Sequence, residues 1–424
     1  MKKFLKFSIF SILVVSMSLV IYKYSNRYDI EIEKDGIKSD LLIKGLEGAS
    51  SICSGDGDKL FVAFKNEIIN INSNNQINKV YKDVNLDIED IMYKDGSLYV
   101  ISKDKLLLFN DNNSNGKVIL DNIPFEGENL DRRLLDNKES ILISIGASTN
   151  SGIAEKGKPY DTYPIDLILN GNNFGTGETG GFKPYGDSSR EDEKIEGKKI
   201  ANASIIAVDR STHKVSLFSS GIRNIKGYDL NSKGEVIAGI GGMTSSGTRG
   251  VIRDFDYIYK ITKGIWYGWP DFSGGDPITS PRFSDGEKIK PIIKNQPEKK
   301  TPTPMYQHKS VDSLDGLVVD KTGNILEKDS VIFYDNKEKV LYSLDDKKVL
   351  SNIVTFGDET NIKDIIISND KCLLLDSNKG YIYRIFKEDK ILGDKIPYSV
   401  IIITSIIILL GVCILVYKIK LNKK

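Results

Sequence analysis

A polar turn followed by alternating apolar residues recurs six times along the middle of the chain. In each copy, Asp, Asn, Lys or Gly residues form the turn, and the alternation that follows is typical of a strand with one buried face. The copies are residues 58–62, 95–100, 138–143, 233–237, 322–326 and 369–374. Repeated short strands without amphipathic helices between them predict an all-β, six-bladed β-propeller. A β-sandwich is the alternative that the strand pattern leaves open.

Two apolar runs lie at the ends of the chain. Residues 7–22 are broken only by serines and follow Lys2, Lys3 and Lys6, which predicts a signal peptide or an N-terminal membrane anchor in residues 1–28. No small-x-small cleavage motif precedes Tyr22, which favours an uncleaved anchor. Residues 398–417 are long enough to span a bilayer as a transmembrane helix, with a buried core helix as the alternative.

Lysines at both extremes indicate that both termini lie in the cytoplasm. We therefore expect residues 29–395 to form the propeller on the extracytoplasmic side of the cell membrane, with residues 418–424 as a cytoplasmic basic tail. The 424 residues carry a net charge of +1, so no overall field favours nucleic acid or an acidic partner. Cys413 falls in the C-terminal apolar run, and Cys53 and Cys372 are predicted to be two unpaired buried thiols, with a disulfide between them as the alternative.

The most informative stretch of the chain is residues 221–272. Residues 228–240 predict a hairpin with its turn at 231–234, and Arg223 and Asn224 stand just before its first strand. A glycine-rich segment, 239–250, follows and can approach a ligand closely. Another strand is predicted at 257–261, and it leads into a Tyr-Gly-Trp-Pro corner at 267–270.

The order of these pieces resembles the glucose/sorbosone dehydrogenase family, soluble quinoproteins built on a six-bladed β-propeller. The matching positions are Gly221, Arg223, Asn224 and Gly227, the strand start 256–258, and Gly264, Tyr267, Gly268, Trp269 and Pro270. Weaker matches flank them at 145–150 and 314–317. The resemblance spans roughly residues 45–390. A purely architectural reading also fits, because glycine corners and a Trp-Pro plug serve a propeller with or without a ligand.

The resemblance implies oxidation of a sugar or polyol by pyrroloquinoline quinone (PQQ), with calcium beside the cofactor. Arg223 matches the family's cofactor-facing arginine, and with Asn224 it forms the predicted cofactor-binding pair. Carboxylates near the glycine-rich segment could supply the oxygen ligands that calcium prefers. We take Asp256 and Asp276 as the metal candidates, with Asp254 and Asp271 beside them.

The catalytic base is where the chain departs from the family pattern. A histidine normally takes the hydroxyl proton, but the expected position falls at 129–133, where Asn129 is closest and an amide cannot accept a proton. Asp131 is the predicted substitute, although an aspartate with a pKa of about 3.9 is a weaker base than histidine. His308 is the second catalytic candidate, and His213, the other histidine, is predicted to lie in a hairpin turn.

Two long connections interrupt the strands, at 151–200 and 276–310. The first contains a G-x-G-x-x-G sequence at 175–180, but Gly181 and Pro184 follow where a helix should begin, so we interpret it as a flexible loop. Two functional hypotheses remain. The first is a membrane-tethered quinone-dependent sugar dehydrogenase; the second is a propeller without the cofactor that binds a carbohydrate or a surface partner.

Overall fold

The computed structural model describes residues 30–110, 113–127, 130–298 and 300–388, together with the single residue Ile406. Apart from a 3₁₀ turn at Pro281–Phe283 and the helical Ile406, the regular elements in these ranges are β-strands. No helix among the described residues has both the length and the apolar character needed to cross a bilayer. The two apolar end runs, 7–22 and 398–417, lie outside the described residues except for Ile406.

Most of the described strands form six large antiparallel sheets, which we number as blades 1 to 6 along the chain. Blade 1 contains Ala49–Ser54, Leu60–Phe64, Glu67–Ile71 and Ile77–Lys82. Blade 2 contains Ile88–Lys94, Ser97–Ser102, Lys105–Asn110 and Asn113–Leu120. Blade 3 contains Arg132–Asn137, Ser140–Ile145, Ser204–Asp209 and Val215–Ser220.

The second half of the chain builds the other three sheets. Blade 4 contains Ile225–Leu230, Val236–Ile240, Tyr257–Ile261 and Tyr306–Gln307. Blade 5 contains Leu314–Asp320, Ser330–Asp335, Val340–Leu344 and Leu350–Phe356, and the short strand Ile30–Ile32 precedes Glu33, whose N–H bonds to Ile353 O of this blade at 3.0 Å. Blade 6 contains Ile362–Ser368, Lys371–Asp376, Tyr381–Lys387 and, from the beginning of the chain, Ile37–Lys44.

The first strand of each blade neighbours the first strands of the next and the preceding blade, so these inner strands form a closed ring. Aspartates on the inner strands bond across the boundaries between blades. Asp364 of blade 6 accepts from Ile52 N of blade 1 at 2.9 Å. Asp90 of blade 2 accepts from Leu134 N of blade 3 at 2.7 Å. The six-bladed β-propeller is thereby confirmed, and the β-sandwich is excluded.

The two ends of the described chain close the ring together. Ile37–Lys44 pairs antiparallel with Tyr381–Lys387 as the outermost strand of blade 6. Across this pair, Arg384 makes a bidentate ion pair with Asp40, with both N–O distances at 2.6 Å. Because the N-terminal strand completes the C-terminal blade, the ring opens only if this backbone pairing is broken.

The six repeats of the sequence pattern all fall at the turn between the first and second strands of a blade. In five blades the predicted strand overlaps an observed one. In blade 5 the residues 322–326 are loop, and the strand begins only at Ser330. The reason is Asp320, whose carboxylate accepts bonds from the N–H groups of Gly323, Ile325 and Leu326 and holds this segment in a turn.

Both long connections leave the sheets where the sequence indicates. The first joins the second and third strands of blade 3, and it contains the short strands Leu167–Asn170, Asn173–Phe174, Thr179–Gly180 and Glu191–Ile195. Within the segment 175–180, residues 175–178 form a turn, and Thr179–Gly180 pairs with Asn173–Phe174 in a short hairpin. The second connection lies within blade 4 and includes the hairpin of Phe272–Ser273 with Asp276–Pro277.

The hydrophobic core lies between neighbouring sheets. One cluster packs residues of blades 3 and 4 together, and another joins blade 6 to blade 1. Cys53 of blade 1 and Cys372 of blade 6 are both buried and unpaired, as the sequence favoured. Burial raises the pKa of both thiols, so they act as apolar side chains of the core.

Candidate functional site

Arg223 lies immediately before the inner strand of blade 4, and its side chain is buried. Its Nε donates a hydrogen bond to the carbonyl oxygen of Asn150 at 3.1 Å, and its Nη2 donates to Asn150 Oδ1 at 3.1 Å. The carbonyl oxygen of Arg223 accepts a bond from Ala147 N at 2.6 Å. The structure therefore brings together the arginine motif and the weaker match at 145–150, although Arg223 and Asn150 are 73 residues apart.

Asn224 and Asp131 form a polar cluster with Lys226. Asn224 Nδ2 donates to Asp131 Oδ2 at 2.8 Å, and the Lys226 ammonium donates to the same oxygen at 2.9 Å. Burial raises the pKa of Asp131, but the charges of Lys226 and Arg133 outweigh burial and hold this pKa below its usual value. Asp131 is therefore ionised at neutral pH and, with its side chain 42% exposed, remains open to solvent.

A cavity of about 690 Å³ is lined by Lys226 and lies against both of these motifs. Its wall combines polar and apolar surface and comes mainly from two parts of the chain: residues 148–159, at the start of the blade 3 connection, and residues 244–249 of the glycine-rich segment. Lys158, Lys226 and Arg249 supply positive charge to the lining, and Glu155 and Asp312 supply negative charge.

The two parts of the cavity wall are bonded to each other. Glu155 accepts bonds from Thr248 N at 2.5 Å and from Thr248 Oγ1 at 3.0 Å. Asn150 Nδ2 donates to the carbonyl oxygens of Thr244 at 2.8 Å and Ser246 at 3.0 Å. Asn150 thus connects the glycine-rich segment to Arg223. Arg223 does not line the cavity, but its bonds to Asn150 orient the cavity wall.

A second cavity of about 630 Å³ runs along the inner strands of all six blades and is the central channel of the propeller. Asp90, Arg133 and Asp364 line it. Lys226 lines this channel as well as the first cavity, so its ion pair with Asp131 stands where the two spaces meet. A change at Lys226 is therefore expected to affect both.

The predicted metal ligands Asp256 and Asp276 lie in different settings. Asp256 is fully buried, and its two oxygens accept four backbone N–H groups, from Gly242, Asp312, Ser313 and Leu314, at 2.8–3.0 Å. Asp276 lies on the hairpin of the second connection and pairs with Arg282 Nε at 3.2 Å. Among the described residues, neither carboxylate belongs to a group of ligand atoms spaced closely enough to bind a metal ion. The group with such spacing is Glu327, Asp345 and Asp346 in blade 5.

The other two acidic candidates also bond within the protein. Asp254 accepts from Met243 N at 2.7 Å and from the Tyr257 hydroxyl at 2.7 Å, and burial raises its pKa. Asp271 forms a fully buried ion pair with Arg249 at 2.7 Å, and it also accepts from Ile292 N at 2.9 Å. These carboxylates fix the loops around the first cavity, which is a structural role that their positions in the sequence did not reveal.

His308 lies outside the cavity lining, enclosed between blades 4 and 5. Its Nε2 is 2.7 Å from Asp335 Oδ2, and both side chains are fully buried. The ring also packs edge-on against Phe333 and Tyr342. Of the two catalytic candidates, the structure therefore places only Asp131 beside a cavity-lining residue. Asn129 falls outside the described residues, and His213 lies in the exposed turn before Val215–Ser220.

The Tyr-Gly-Trp-Pro corner packs directly behind the arginine motif. Trp269 N donates to Gly221 O at 2.9 Å, and Trp269 Nε1 donates to Asn150 O at 3.2 Å. A side chain at Gly221 would meet Trp266 Nε1 at 2.4 Å, and its φ of 70° also favours glycine. The corner thus helps to fix Asn150, because Trp269 and Arg223 donate to the same carbonyl oxygen, and this contact is the architectural role that the Trp-Pro corner could serve.

Lys226, Glu155 and Lys158 are among the cavity residues that the sequence did not indicate. Lys226 sits between Asn224 and Gly227 of the matched motif, and its adjacency to the motif was the available signal. Glu155 and Lys158 lie at the start of the long connection, where no periodicity marks which side chains turn towards a cavity.

Solved structures with this architecture are similar to the chain in fold. The calcium structure of a Trichoderma reesei Carbohydrate-Active Enzymes Family AA12 protein aligns with a TM-score of 0.60 and 13% identity, over 85% of this chain and 97% of that one. The PQQ-bound aldose sugar dehydrogenase of Streptomyces coelicolor aligns with a TM-score of 0.53 and 12% identity, over 82% and 98%. The holo PQQ domain of the Coprinopsis cinerea pyranose dehydrogenase aligns with a TM-score of 0.57 and 11% identity, over 85% and 98%.

The chain has the propeller fold of the PQQ-dependent sugar dehydrogenases. It spans nearly the full length of each of these proteins. No protein-family model and no curated protein sequence matches it. The fold expected from the family resemblance is thereby confirmed, and the activity rests on the site.

Proposed function

We propose that the chain is a sugar dehydrogenase that binds PQQ in the 690 Å³ cavity. The observation that carries this proposal is the convergence of the matched motifs on one site: Arg223 and Trp269 both donate to the carbonyl oxygen of Asn150, which lines the cavity. A cavity of this size is in the usual range for a cofactor or small-ligand site. The choice of cofactor is supported by the similar propellers, one named as a PQQ-bound form and another as the holo form of a PQQ domain.

The charges at the cavity suit a ligand with several carboxylates, as PQQ has. Lys226 and Lys158 line it from two sides, whereas the guanidinium of Arg249 is already paired with the buried Asp271. Ammonium and guanidinium groups bind carboxylates by charge-assisted hydrogen bonds. In this proposal Lys226 and Lys158 hold the cofactor, and Arg223 keeps Asn150 and the cavity wall in place. When bound, PQQ would take up the two electrons removed from an alcohol carbon of the sugar.

Asp131 is the proposed acceptor of the hydroxyl proton. Its carboxylate is ionised and partly exposed, and Lys226 holds it at the edge of the cavity. Because its pKa is lowered, we expect Asp131 to be a slower base at neutral pH than a histidine in the same place. We assign no calcium ion to Asp256, whose oxygens accept four backbone N–H groups, or to Asp276, which is half-exposed and pairs with Arg282; calcium enters the proposal through the resemblance and the calcium-containing neighbour.

We further propose that the protein is held in the cell membrane with its propeller outside. The basis is the sequence of the two end runs, 7–22 and 398–417, and the basic tail after the second. Cell fractionation, followed by protease treatment of intact cells, tests this part. A propeller that stays with the soluble fraction, or that is protected from added protease, would contradict it.

The enzymatic proposal is tested with the full-length protein in a detergent without a sugar headgroup. PQQ is titrated with and without calcium, and dye reduction is then followed with aldoses. We expect saturable PQQ binding that is weakened about tenfold or more by Lys226→Met, because a charge-assisted bond is lost. Lys294→Met, which removes an exposed ion pair with Glu191, is the matched control and leaves binding unchanged.

A protein that binds no PQQ even at high concentration is not a PQQ dehydrogenase. Saturable sugar binding in that case would identify the cofactor-free, carbohydrate-binding propeller. Equal weakening of PQQ binding by Lys226→Met and Lys294→Met would place the cofactor outside the cavity.

A further inference from the structure

Two exposed aromatic residues lie within two positions of cavity-lining residues along the chain. Among the described residues, three Phe, Tyr or Trp side chains are exposed: Phe125 at 44%, Tyr160 at 42% and Tyr185 at 36%. An exposed aromatic ring leaves a large apolar area in contact with water, which a ligand can cover. Phe125 is two residues from the cavity-lining Gly127, and Tyr160 directly follows the cavity-lining Pro159.

Hydrogen bonds to one residue hold both aromatic segments against the cavity wall. Ser148, which lines the cavity, donates from Oγ to the carbonyl oxygen of Glu126 at 2.7 Å. Its N–H donates to Asp161 Oδ1 at 2.5 Å. Phe125 is adjacent to Glu126 and Tyr160 is adjacent to Asp161, so the two rings belong to segments that meet at the same side of the cavity.

The segment that carries Tyr160 is fixed by the hydrogen bonds to Asp161. Asp161 is 1% exposed and also accepts bonds from Thr149 N at 3.2 Å and Thr149 Oγ1 at 2.5 Å. On the Phe125 side, Gly127 packs so closely that an added Cβ would lie 2.4 Å from Ser148 Cα. The rings are therefore carried on well-fixed backbone, which lowers the entropy lost when a ligand binds them.

We propose that Phe125 and Tyr160 form a sugar-binding platform at the mouth of the cavity, and that the substrate is an oligosaccharide or a chain end. The inference rests on the proposed function and specifies its substrate class. An aldose is oxidised at C1, its reducing end, so further sugar units are attached on the side away from the reacting carbon and extend out of the cavity. The C–H face of such a unit is apolar and covers an aromatic ring, while its hydroxyl groups remain in water.

The test compares glucose with the glucose trisaccharides cellotriose and maltotriose. Full-length wild type, Phe125→Ala, Tyr160→Ala and Tyr160→Phe are assayed for PQQ-dependent kcat/KM on each sugar and, without PQQ, for binding by saturation-transfer NMR and calorimetry. Tyr185→Ala is the matched control, because Tyr185 is exposed but neither lines the cavity nor is adjacent to a lining residue.

We expect each alanine variant at the platform to lower the trisaccharide-to-glucose preference about three- to tenfold, the usual range for one aromatic contact. Tyr160→Phe, which keeps the ring, and Tyr185→Ala should leave the preference as in wild type. An unchanged preference in both platform variants, or an equal loss for glucose and trisaccharide, overturns the inference.

The binding arm separates this inference from the proposed function. Trisaccharide binding that depends on Phe125 and Tyr160, in a protein that binds no PQQ, would sustain the platform and refute the dehydrogenase. PQQ-dependent oxidation of glucose, with trisaccharide oxidation unchanged in Phe125→Ala and Tyr160→Ala, would sustain the dehydrogenase and refute the platform.

Discussion

The hydroxyl oxygen of Ser51 lies 2.6 Å from Asp90 Oδ1, and 2.9 Å from Asp364 Oδ2 on its other side. A serine hydroxyl has a single hydrogen to donate. Both contacts are hydrogen bonds only if one of the carboxyl groups carries a proton and donates to Ser51. Burial raises the pKa of Asp90 to about 7; the Arg133 charge opposes this rise and the Asp364 charge adds to it. We therefore predict that the two carboxyls share one proton where blades 6, 1 and 2 meet.

The shared proton predicts how stability depends on pH. Because its pKa is raised, Asp90 is protonated in the folded protein between about pH 4 and pH 7. In the unfolded chain the same carboxyl is ionised over this range. This stabilisation is complete at the acid end of the window and is lost as the pH rises through the folded pKa, by about 1.4 kcal/mol per pH unit. We expect Asp90→Asn to flatten this slope, because an amide donates to Ser51 at every pH. Urea unfolding at pH 4–8 measures the slope of the free energy of unfolding against pH.

Asp285→Asn is the matched control for this prediction, since Asp285 forms an exposed ion pair with Arg253. It should leave the slope of the free energy of unfolding against pH close to that of wild type. If the free energy of unfolding of Asp90→Asn depends on pH as steeply as that of wild type, no proton is shared at Ser51.

The carboxylate of Asp256 is predicted to stabilise the fold without a metal ion. Asp256→Ala leaves four buried N–H groups without an acceptor, and we expect the free energy of unfolding to fall by about 3 kcal/mol or more. Asp276→Ala, at a partly exposed ion pair, should cost about 1 kcal/mol or less. Both values come from urea unfolding in calcium and in EDTA. If Asp256 binds calcium, the difference in the free energy of unfolding between wild type and Asp256→Ala will be smaller in EDTA than in calcium.

His308 is predicted to support the packing of blades 4 and 5. His308→Ala creates a cavity among aromatic rings and leaves the buried Asp335 carboxylate without its partner, so we expect a loss of about 3 kcal/mol in the free energy of unfolding. PQQ affinity, measured below the unfolding transition, should stay near the wild-type value.

His213→Asn serves as the control for the histidine prediction. His213 has a φ of 56°, a conformation that asparagine accepts readily, so this exchange should change stability little. Normal stability with a strongly reduced kcat in His308→Ala would instead point to a catalytic role for His308.

The propeller was predictable because every blade uses the same local device. Each repeat of a polar turn and an alternating strand marks the turn between the first two strands of a blade, and turn chemistry and periodicity act over a few residues. The repeat in blade 5 misplaced its strand because the carboxylate of Asp320 holds the next residues in a loop. The sequence also contains a signal that went unused: the pattern I-x-D-I at 88–91 and 362–365 marks the aspartates that bond between blades.

The candidate site was only partly predictable. Arg223 and Asn224 were identified from the motif, but the bonds that make Asn150 their partner join segments from different blades. Nothing within a few residues of Asp256 indicates that its oxygens are filled by backbone groups 56–58 residues further along the chain. A carboxylate on a loop looks the same in sequence whether it faces a metal ion or a row of N–H groups.

The sequence by itself determined the strands, the number of blades and the two interruptions, because these depend on side-chain periodicity and turn residues that act locally. Only the tertiary structure decided that Lys226 stands between cavity and channel, that Asp131 is held ionised, and that Ser51 joins two carboxyls. Each of these properties depends on charges and hydrogen bonds between residues far apart in the chain, and their burial and distances are fixed only when the six blades close into a ring.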